Sequence, residues 1–368
     1  MLKTIMLYYP SFENGGATKN LINITNFFIK KKINVLLFSY RADRKKFIKN
    51  KYLTIINTKP ITFFSFLPIR WNLALSSVFN LNSYIKRNKK NSIIFSMQSH
   101  IPAIIVAKLN NIKISIRNSE EPLGATFYAD NRILSFFVLL LKIFFYNFSD
   151  QIIAISRKSE KSLKRIVLSK KKIFLVYNPY LDKILKVKNK KKNKSFAILS
   201  SGRLTKQKNF FLLINSVINL SKKYKFINLT IVGSGNQYDI IKTKTLPYKN
   251  IKIVGWKPNL KKFFSRSNLF VLSSYYEGLP NTLIEAVNYE VPCIATNVSG
   301  VEDILLNGKG GMIVPNNNQK EMQNKIEYAI NNRSKLKIMS LMAKKKVFRF
   351  TKINLLLMDK LFNDLKKV

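Results

Sequence analysis

Residues 273 to 305, SSYYEGLPNTLIEAVNYEVPCIATNVSGVEDIL, place Glu277 in a turn-rich stretch and Glu285 farther on in a helical pattern, with Gly278, Leu279, Pro280, Asn281 and Thr282 between them. A loop entering a helix presents free backbone N–H groups at the positive end of the helix dipole, which suits an anion such as a diphosphate. The flanking carboxylates can accept hydrogen bonds from sugar hydroxyls, so the combination suggests a nucleotide sugar. Among ten glutamates a pair at this spacing also arises by chance, and the weight rests on its surroundings. NLFVLSS (268–274) reads as a strand, NTLIEAVNY as a helix, and VPCIAT (291–296) as a second strand leading to a turn at Ser299 and Gly300. This is the order of a parallel α/β sheet, where ligands sit beyond the carboxyl ends of the strands.

Three further loops follow strand-like runs and carry polar or glycine residues. Gly15 and Gly16 come after the first run, where a backbone without Cβ can approach a phosphate, although most Gly pairs are simply turns. SSGRLTKQKN holds Gly202, Arg203 and Lys208; two cations on one loop can neutralise a diphosphate, and the plainer reading is a solvated basic face. Gly233, Ser234 and Gly235 form the third loop. The chain has one His, one Cys, no Asp-x-Asp pair and no GxxxxGK[ST] loop, so neither a zinc site nor a carboxylate-held magnesium site assembles from its pattern. Phosphate charge then falls to Arg203, Lys208 and backbone amides. Cleaving an anomeric bond puts negative charge on the departing phosphate, which cations aimed there stabilise more in the transition state than in the ground state.

The elements that must position these loops fall into two sets. A chain of 368 residues, 46% of them hydrophobic, can bury two doubly wound cores. TIMLYYP, INVLLFSY, SIIFSMQS, IKISIRNS and DQIIAIS alternate with helical patterns; the alternation restarts at SFAILSSGRL after the Lys-rich stretch DKILKVKNKKKNK, which reads as a solvated linker. The amino-terminal MLKTIMLYYP is shorter than the apolar core of a secretory leader and reads as the first strand. KKKVFRFTKINLLLMDKLFNDL at the other end is helical by spacing. Cys293, inside an apolar run, reads as an inert buried residue, and a lone Cys points to a reducing compartment.

The net charge of +47 invites a nucleic-acid reading, yet Arg supplies only 12 of the 65 cations, and both halves of the chain are basic. A lysine-rich compositional habit and attraction to an anionic membrane surface are the other readings. ITFFSFLPIRWNLALSSVF (61–79) and ILSFFVLLLKIFFYNF (133–148) are rich in Phe and Leu; the second is too short to span a bilayer and carries Lys142. Each segment either packs within the first domain or forms an aromatic and basic face that docks on a bilayer without crossing it.

GRLTKQKN, IVGSG, EGLPNTLIEA and VPCIAT with SGVEDIL together resemble the carboxyl-terminal half of the family 4 glycosyltransferases; NGGATKNL, AISRKSEKSL and VYNP resemble its amino-terminal half. The resemblance implies a GT-B fold with two Rossmann-like domains facing a cleft. The first would span residues 1–180, a linker 181–194, the nucleotide-sugar domain 195–345, and a last helix 346–368 would return to the first domain. It also implies a retaining, metal-independent, hexosyl-type transfer with no cofactor, from a UDP- or GDP-sugar to a growing saccharide. Carried over by motif, Arg203 and Lys208 would hold the diphosphate and stabilise the leaving group, and Glu277 would bind donor-sugar hydroxyls. Gly202, Gly233 and the amides of Gly278, Leu279, Pro280-Asn281 and Thr282 would line the donor site, Glu285 would bind the ribose, and Val254, Trp256 and Lys257 would contact the base. Gly15 and Gly16 would sit over the phosphates.

Many members carry a His facing the donor sugar where ISIRNSEEP places Arg117 and Asn118; the resemblance implies that Arg117 would replace it or that His100, after the preceding strand, would take its role, and the plainer reading of His100 is a satisfied structural His near a helix start. Polysaccharide-building relatives often use lipid-linked acceptors, so the expected acceptor is a polyprenyl-diphosphate-linked precursor of surface polysaccharide, met at the cytoplasmic face by a cytoplasmic or peripheral enzyme. The rival readings are a basic nucleic-acid-binding protein and a noncatalytic GT-B scaffold.

Overall fold

Short apolar runs separated by polar turns become the strands of two parallel sheets in the computed structural model, which describes residues 2–13, 15–89, 91–187 and 195–367. In chain order the first elements are β1 (Thr4–Ser11), α1 (Gly16–Lys30), β2 (Asn34–Tyr40), β3 (Leu53–Asn57), α2 (Ile69–Asn88), β4 (Ser92–Ser96), α3 (His100–Leu109), β5 (Ile114–Asn118), α4 (Pro122–Phe127), α5 (Arg132–Tyr146), β6 (Gln151–Ala154), α6 (Arg157–Ile166) and β7 (Ile173–Leu175). There follow β8 (Phe196–Ser201), α7 (Phe210–Lys223), β9 (Ile227–Val232), α8 (Tyr238–Thr245), β10 (Ile251–Val254), α9 (Lys261–Arg266), β11 (Leu269–Leu272), α10 (Asn281–Asn288), β12 (Cys293–Thr296), α11 (Val301–Leu305), β13 (Met312–Val314), α12 (Gln319–Asn331), α13 (Arg333–Lys345) and α14 (Ile353–Lys367).

The chain divides into two compact units, residues 1–182 with 350–368, and residues 183–349. Residues 188–194 of the Lys-rich stretch lie outside the described residues. In the first unit the strand order is β3-β2-β1-β4-β5-β6-β7, and the strands pair in parallel. Strand periodicity decides which core each side chain enters. Along β1, Ile5, Leu7 and Tyr9 join a cluster with Leu21, Ile24 and Phe28 of α1, whereas Met6 and Tyr8 join Leu81 and Ile85 of α2 and Ala103 and Ile104 of α3 on the other face. Helix α14 completes the first cluster through Leu355, Met358, Leu361 and Phe362.

The carboxyl-terminal stretch is not one helix. Tyr180 and Leu181 donate backbone hydrogen bonds to the Phe350 carbonyl, and Leu181 bridges Thr351. That pairing requires extended backbone at 351, so a 3-10 turn (Val347–Phe350) separates α13 from α14. Strand β3, LTIIN, is a further element that the apolar runs did not single out. The second unit orders its strands β10-β9-β8-β11-β12-β13, again in parallel pairs. Its core runs from Phe196 and Ile198 through Leu213 and Val217 of α7 to Met322 and Ile326 of α12. Cys293 is buried at the start of β12.

Phe362 stacks on Phe28 with ring centroids 5.5 Å apart and meets Phe95 edge-on at 4.9 Å. Phe362→Ala is expected to cost the first unit about 3–5 kcal/mol, the range for deleting a buried Phe, read as a lower urea midpoint for that unit's unfolding. An unchanged midpoint would show that α14 is not part of its core.

Candidate functional site

In the second unit the chain leaves β8 toward β9, while β11 flanks β8 on the other side. The loops after β8 and β11 therefore diverge around a crevice beyond the strand ends, the position where doubly wound sheets take ligands. Arg203 and Lys208 stand on the first loop and Glu277 on the second.

Close backbone packing shapes the first loop. Gly202 N–H donates to Val232 O at 3.1 Å, Leu204 N–H to Ser234 O at 2.9 Å, and Gly233 N–H to Gly255 O at 3.2 Å. A Cβ at Gly233 would fall 1.9 Å from the Gly202 carbonyl oxygen, so no larger residue fits there. The fully buried Leu204 pins the loop, and the Lys208 side chain lies across Gly202, where a Cβ would come within 3.2 Å of Cε. Glycines at 202 and 233 thus let the loop fold down far enough for Lys208 to reach across the crevice.

Lys208 Nζ meets Glu277 Oε1 at 2.5 Å, with the two side chains only 14% and 9% exposed. Ser274 Oγ donates to the same Oε1 at 2.7 Å, and Ser274 is held in turn by Thr296 Oγ1, which donates to its carbonyl at 2.6 Å. Further bonds lace the loops together: Ser273 Oγ to Lys208 O at 2.9 Å, Tyr275 N–H to Gln207 O at 2.8 Å, and Gln207 Nε2 to Tyr276 O at 2.9 Å. Gly300 adopts φ +82°, and its turn packs on Leu279 so tightly that a Cβ would lie 2.6 Å from Leu279 Cδ1. Sequence reasoning missed Gln207, Ser274 and Thr296; the quoted strand NLFVLSS ends on Ser273-Ser274, a polar pair at a strand end that marks the place.

Arg203 is exposed on its loop. Gly278, Leu279 and Pro280 are buried, while Asn281 and Thr282 at the start of α10 and Glu285 farther along it are half-buried. Val254 ends β10, the edge strand, and Trp256 and Lys257 beyond it are exposed. Among the described residues no three His, Cys, Asp or Glu gather as a metal-holding group.

In the first unit Gly15 precedes α1 with open space where a Cβ would stand, and Gly16 is the helix's first residue. The half-buried His100 joins the buried Arg117 and Asn118 in one polar network. Arg117 is 1% exposed; Nη1 donates to Ser119 Oγ at 3.2 Å, Nη2 donates to Asn178 Oδ1, and Nε has no hydrogen-bond partner among the described residues. Burial pulls its pKa down to about 10, partly offset by Tyr9, which leaves it protonated at neutral pH. Asn118 Oδ1 accepts from Tyr146 OH at 3.3 Å, and burial, with Glu120 adding to it, pushes that phenol up so that it stays a donor. His100 Nδ1 lies 2.9 Å from Ser96 Oγ, and the ring meets Tyr146 edge-on at 5.8 Å. Burial, then Lys142 and Arg117, bring the His100 pKa down to about 3 against a hydrogen bond to the Arg117 backbone. Arg117 and Asn118 therefore point into the fold rather than to its surface. Asn178 belongs to VYNP, and that motif's structural work is to hold the guanidinium.

Residues 182–346 match the family model described as glycosyl transferases group 1. An uncharacterized glycosyltransferase of Methanocaldococcus jannaschii is 32% identical over 225 residues, a match that covers 56% of this chain and only 55% of that protein. A protein of Campylobacter jejuni named GalNAc-alpha-(1->4)-GalNAc-alpha-(1->3)-diNAcBac-PP-undecaprenol alpha-1,4-N-acetyl-D-galactosaminyltransferase is 24% identical over 338 residues, 89% of each chain. Among solved structures, Anabaena HepE in complex with UDP and glucose superposes with a TM-score of 0.73 over 100% of both chains at 16% identity. The expected fold class, two Rossmann-like parallel-sheet domains of the GT-B type, agrees with that likeness.

His100 is the chain's one His and so a clean probe. Its folded pKa lies below the usual value near 6.5, so its contribution to stability is complete above that value and is lost as pH falls toward about 3. The imidazole Hε1 resonance is expected to hold its neutral position from about pH 8 to about pH 5. A titration midpoint near the ordinary value would show that the network is open to water.

Proposed function

We propose that this chain, a member of the glycosyl transferases group 1 family through residues 182–346, transfers a sugar from a nucleoside diphosphate donor to a saccharide acceptor, with retention of anomeric configuration and without metal. The observation that carries the reading is Lys208 meeting Glu277 across the β8/β11 switch point. One loop brings cations suited to a diphosphate, and the other brings a carboxylate suited to sugar hydroxyls, beside the amino-terminal end of α10.

Arg203 and Lys208 take up the charge that develops on the leaving phosphate, aided by the amides of Gly278 to Asn281. Glu277 orients the sugar through its hydroxyls, Glu285 binds the ribose, and the segment from Val254 to Lys257 contacts the base. The acceptor hydroxyl attacks the face from which the phosphate departs and gives its proton to a β-phosphate oxygen. UDP is the favoured nucleotide, supported by the likeness to HepE with UDP and glucose, and GDP is the second arm of the test.

The acceptor reading is a diphosphate-lipid-linked saccharide of surface-polysaccharide assembly, supported by the acceptor in the name of the Campylobacter relative. It is supported also by helix α5, where Ile133, Leu134, Phe136, Phe137, Leu140, Leu141 and Phe144 are all exposed, Ile133 by 75%. Phe63, at 78%, and Phe66, Ile69 and Trp71 are exposed as well, around the start of α2. No helix among the described residues is long and apolar enough to cross a membrane. An apolar face on a chain of net charge +47 fits the interface of an anionic bilayer, at the cytoplasmic side where nucleotide sugars are used.

Arg203→Ala and Lys208→Ala are each expected to lower kcat/KM by about 10²–10³ and to reduce thermal stabilisation by UDP or GDP, in a donor panel scored for transfer and hydrolysis. Stabilisation that survives both substitutions would place the diphosphate elsewhere. Wild-type protein is expected to float with phosphatidylglycerol-containing vesicles and not with phosphatidylcholine alone, and Phe136→Ser with Phe137→Ser to stay in the dense fraction. Equal flotation of the variant would remove α5 from the docking face, and tight, steeply salt-dependent DNA binding would favour the nucleic-acid reading instead.

A further inference from the structure

Lys208 and Glu277 neutralise each other in a crevice read as taking a doubly charged diphosphate. Their side chains are mostly withdrawn from water, so the carboxylate's charge is poorly screened and acts strongly on any anion brought to Lys208. Both hydrogen bonds that Glu277 receives fall on Oε1, from Lys208 Nζ and Ser274 Oγ, and Oε2 accepts none among the described residues. Lys208 makes this one side-chain contact and keeps two ammonium protons for another acceptor.

We propose that Glu277 discriminates the intact sugar nucleotide from the spent nucleotide; this rests on the diphosphate reading of the site given above. A bare nucleoside diphosphate brings negative charge beside the Glu277 carboxylate and offers that carboxylate nothing. It must share Lys208 with Glu277 or displace it, and displacement leaves a buried carboxylate held by the Ser274 hydroxyl alone. A donor that still carries its sugar supplies hydroxyls to Oε2, and these offset the repulsion. After transfer the hydroxyls leave with the acceptor, the carboxylate's repulsion returns, and the nucleotide is released. One residue thus favours donor binding and opposes product retention.

The test is calorimetric titration of UDP into wild type, Glu277→Gln and Ser274→Ala, with the UDP-sugar that the wild type uses titrated into the same proteins. Glu277→Gln keeps the shape and removes the charge. It is expected to bind UDP about tenfold tighter than wild type, to lose the wild-type preference for the sugar nucleotide over UDP, and to show stronger inhibition by UDP in any residual turnover. Ser274→Ala leaves both charges in place and is expected to bind UDP as wild type does. Equal or weaker UDP binding by Glu277→Gln overturns the proposal. So does equal tightening by Ser274→Ala, which would mean that loosening the loop, not removing charge, admits the nucleotide. Failure of both wild type and Glu277→Gln to bind UDP, and to bind GDP titrated into the same two proteins, is a different result and overturns the diphosphate reading itself.

Discussion

A lysine and a glutamate withdrawn from water are stable only if each satisfies the other, and the Lys208–Glu277 pair imposes that condition on the second unit. To meet it, the loop after β8 has to fold flat enough for a lysine to cross to the loop after β11. Flatness needs Gly202 beneath the lysine stem and Gly233 beneath Gly202, since a Cβ at 233 would collide with the carbonyl above it. The receiving loop must in turn present Glu277 at a fixed height, which Ser274, Thr296 and the Gly300 turn secure. Several small residues that look incidental along the chain are consequences of placing one ion pair.

Much of the architecture was legible because buried parallel strands are short apolar runs bounded by turns, and β1, β4, β5, β8, β11 and β12 all stand out that way. Elements defined by partners rather than by pattern were not. Strand β3 earns its place by pairing with β2, and the break before α14 exists because Phe350 and Thr351 pair with residues near 180, a long way back along the chain. Spacing alone reads straight through such a break, since flanking residues on both sides keep a helical period.

Within the site, residue types were readable and their contacts were not. Lys208 and Glu277 lie 69 positions apart, and nothing local announces that one neutralises the other. Arg117 and Asn118 were visible as polar residues ending a strand, yet neighbouring positions in a strand point to opposite faces, and only the folded unit shows both enclosed. Segment 133–148 posed the opposite difficulty. A helix apolar nearly all round suits a deep core or a lipid surface equally well by composition, and the choice depends on whether other elements cover it. Here they bury Leu139 and Tyr146 and leave most of its remaining large apolar side chains exposed.

Two cations withdrawn from water, Arg117 and Lys208, differ in the partners that hold them. Arg117 donates to neutral oxygens of Ser119 and Asn178, which carry no net charge to exchange for an incoming phosphate, and its Nε has no hydrogen-bond partner among the described residues; the guanidinium is enclosed beside the buried Tyr146 and the half-buried His100. Lys208 is satisfied by a carboxylate at the mouth of a strand-end crevice, a charged partner that can be repelled, shared or taken over by another ligand. A site that must bind and release an anion on every cycle needs a cation whose pairing is reversible at low cost. By that criterion Lys208 holds the more readily exchanged partner, and Arg117 is the more deeply enclosed of the two.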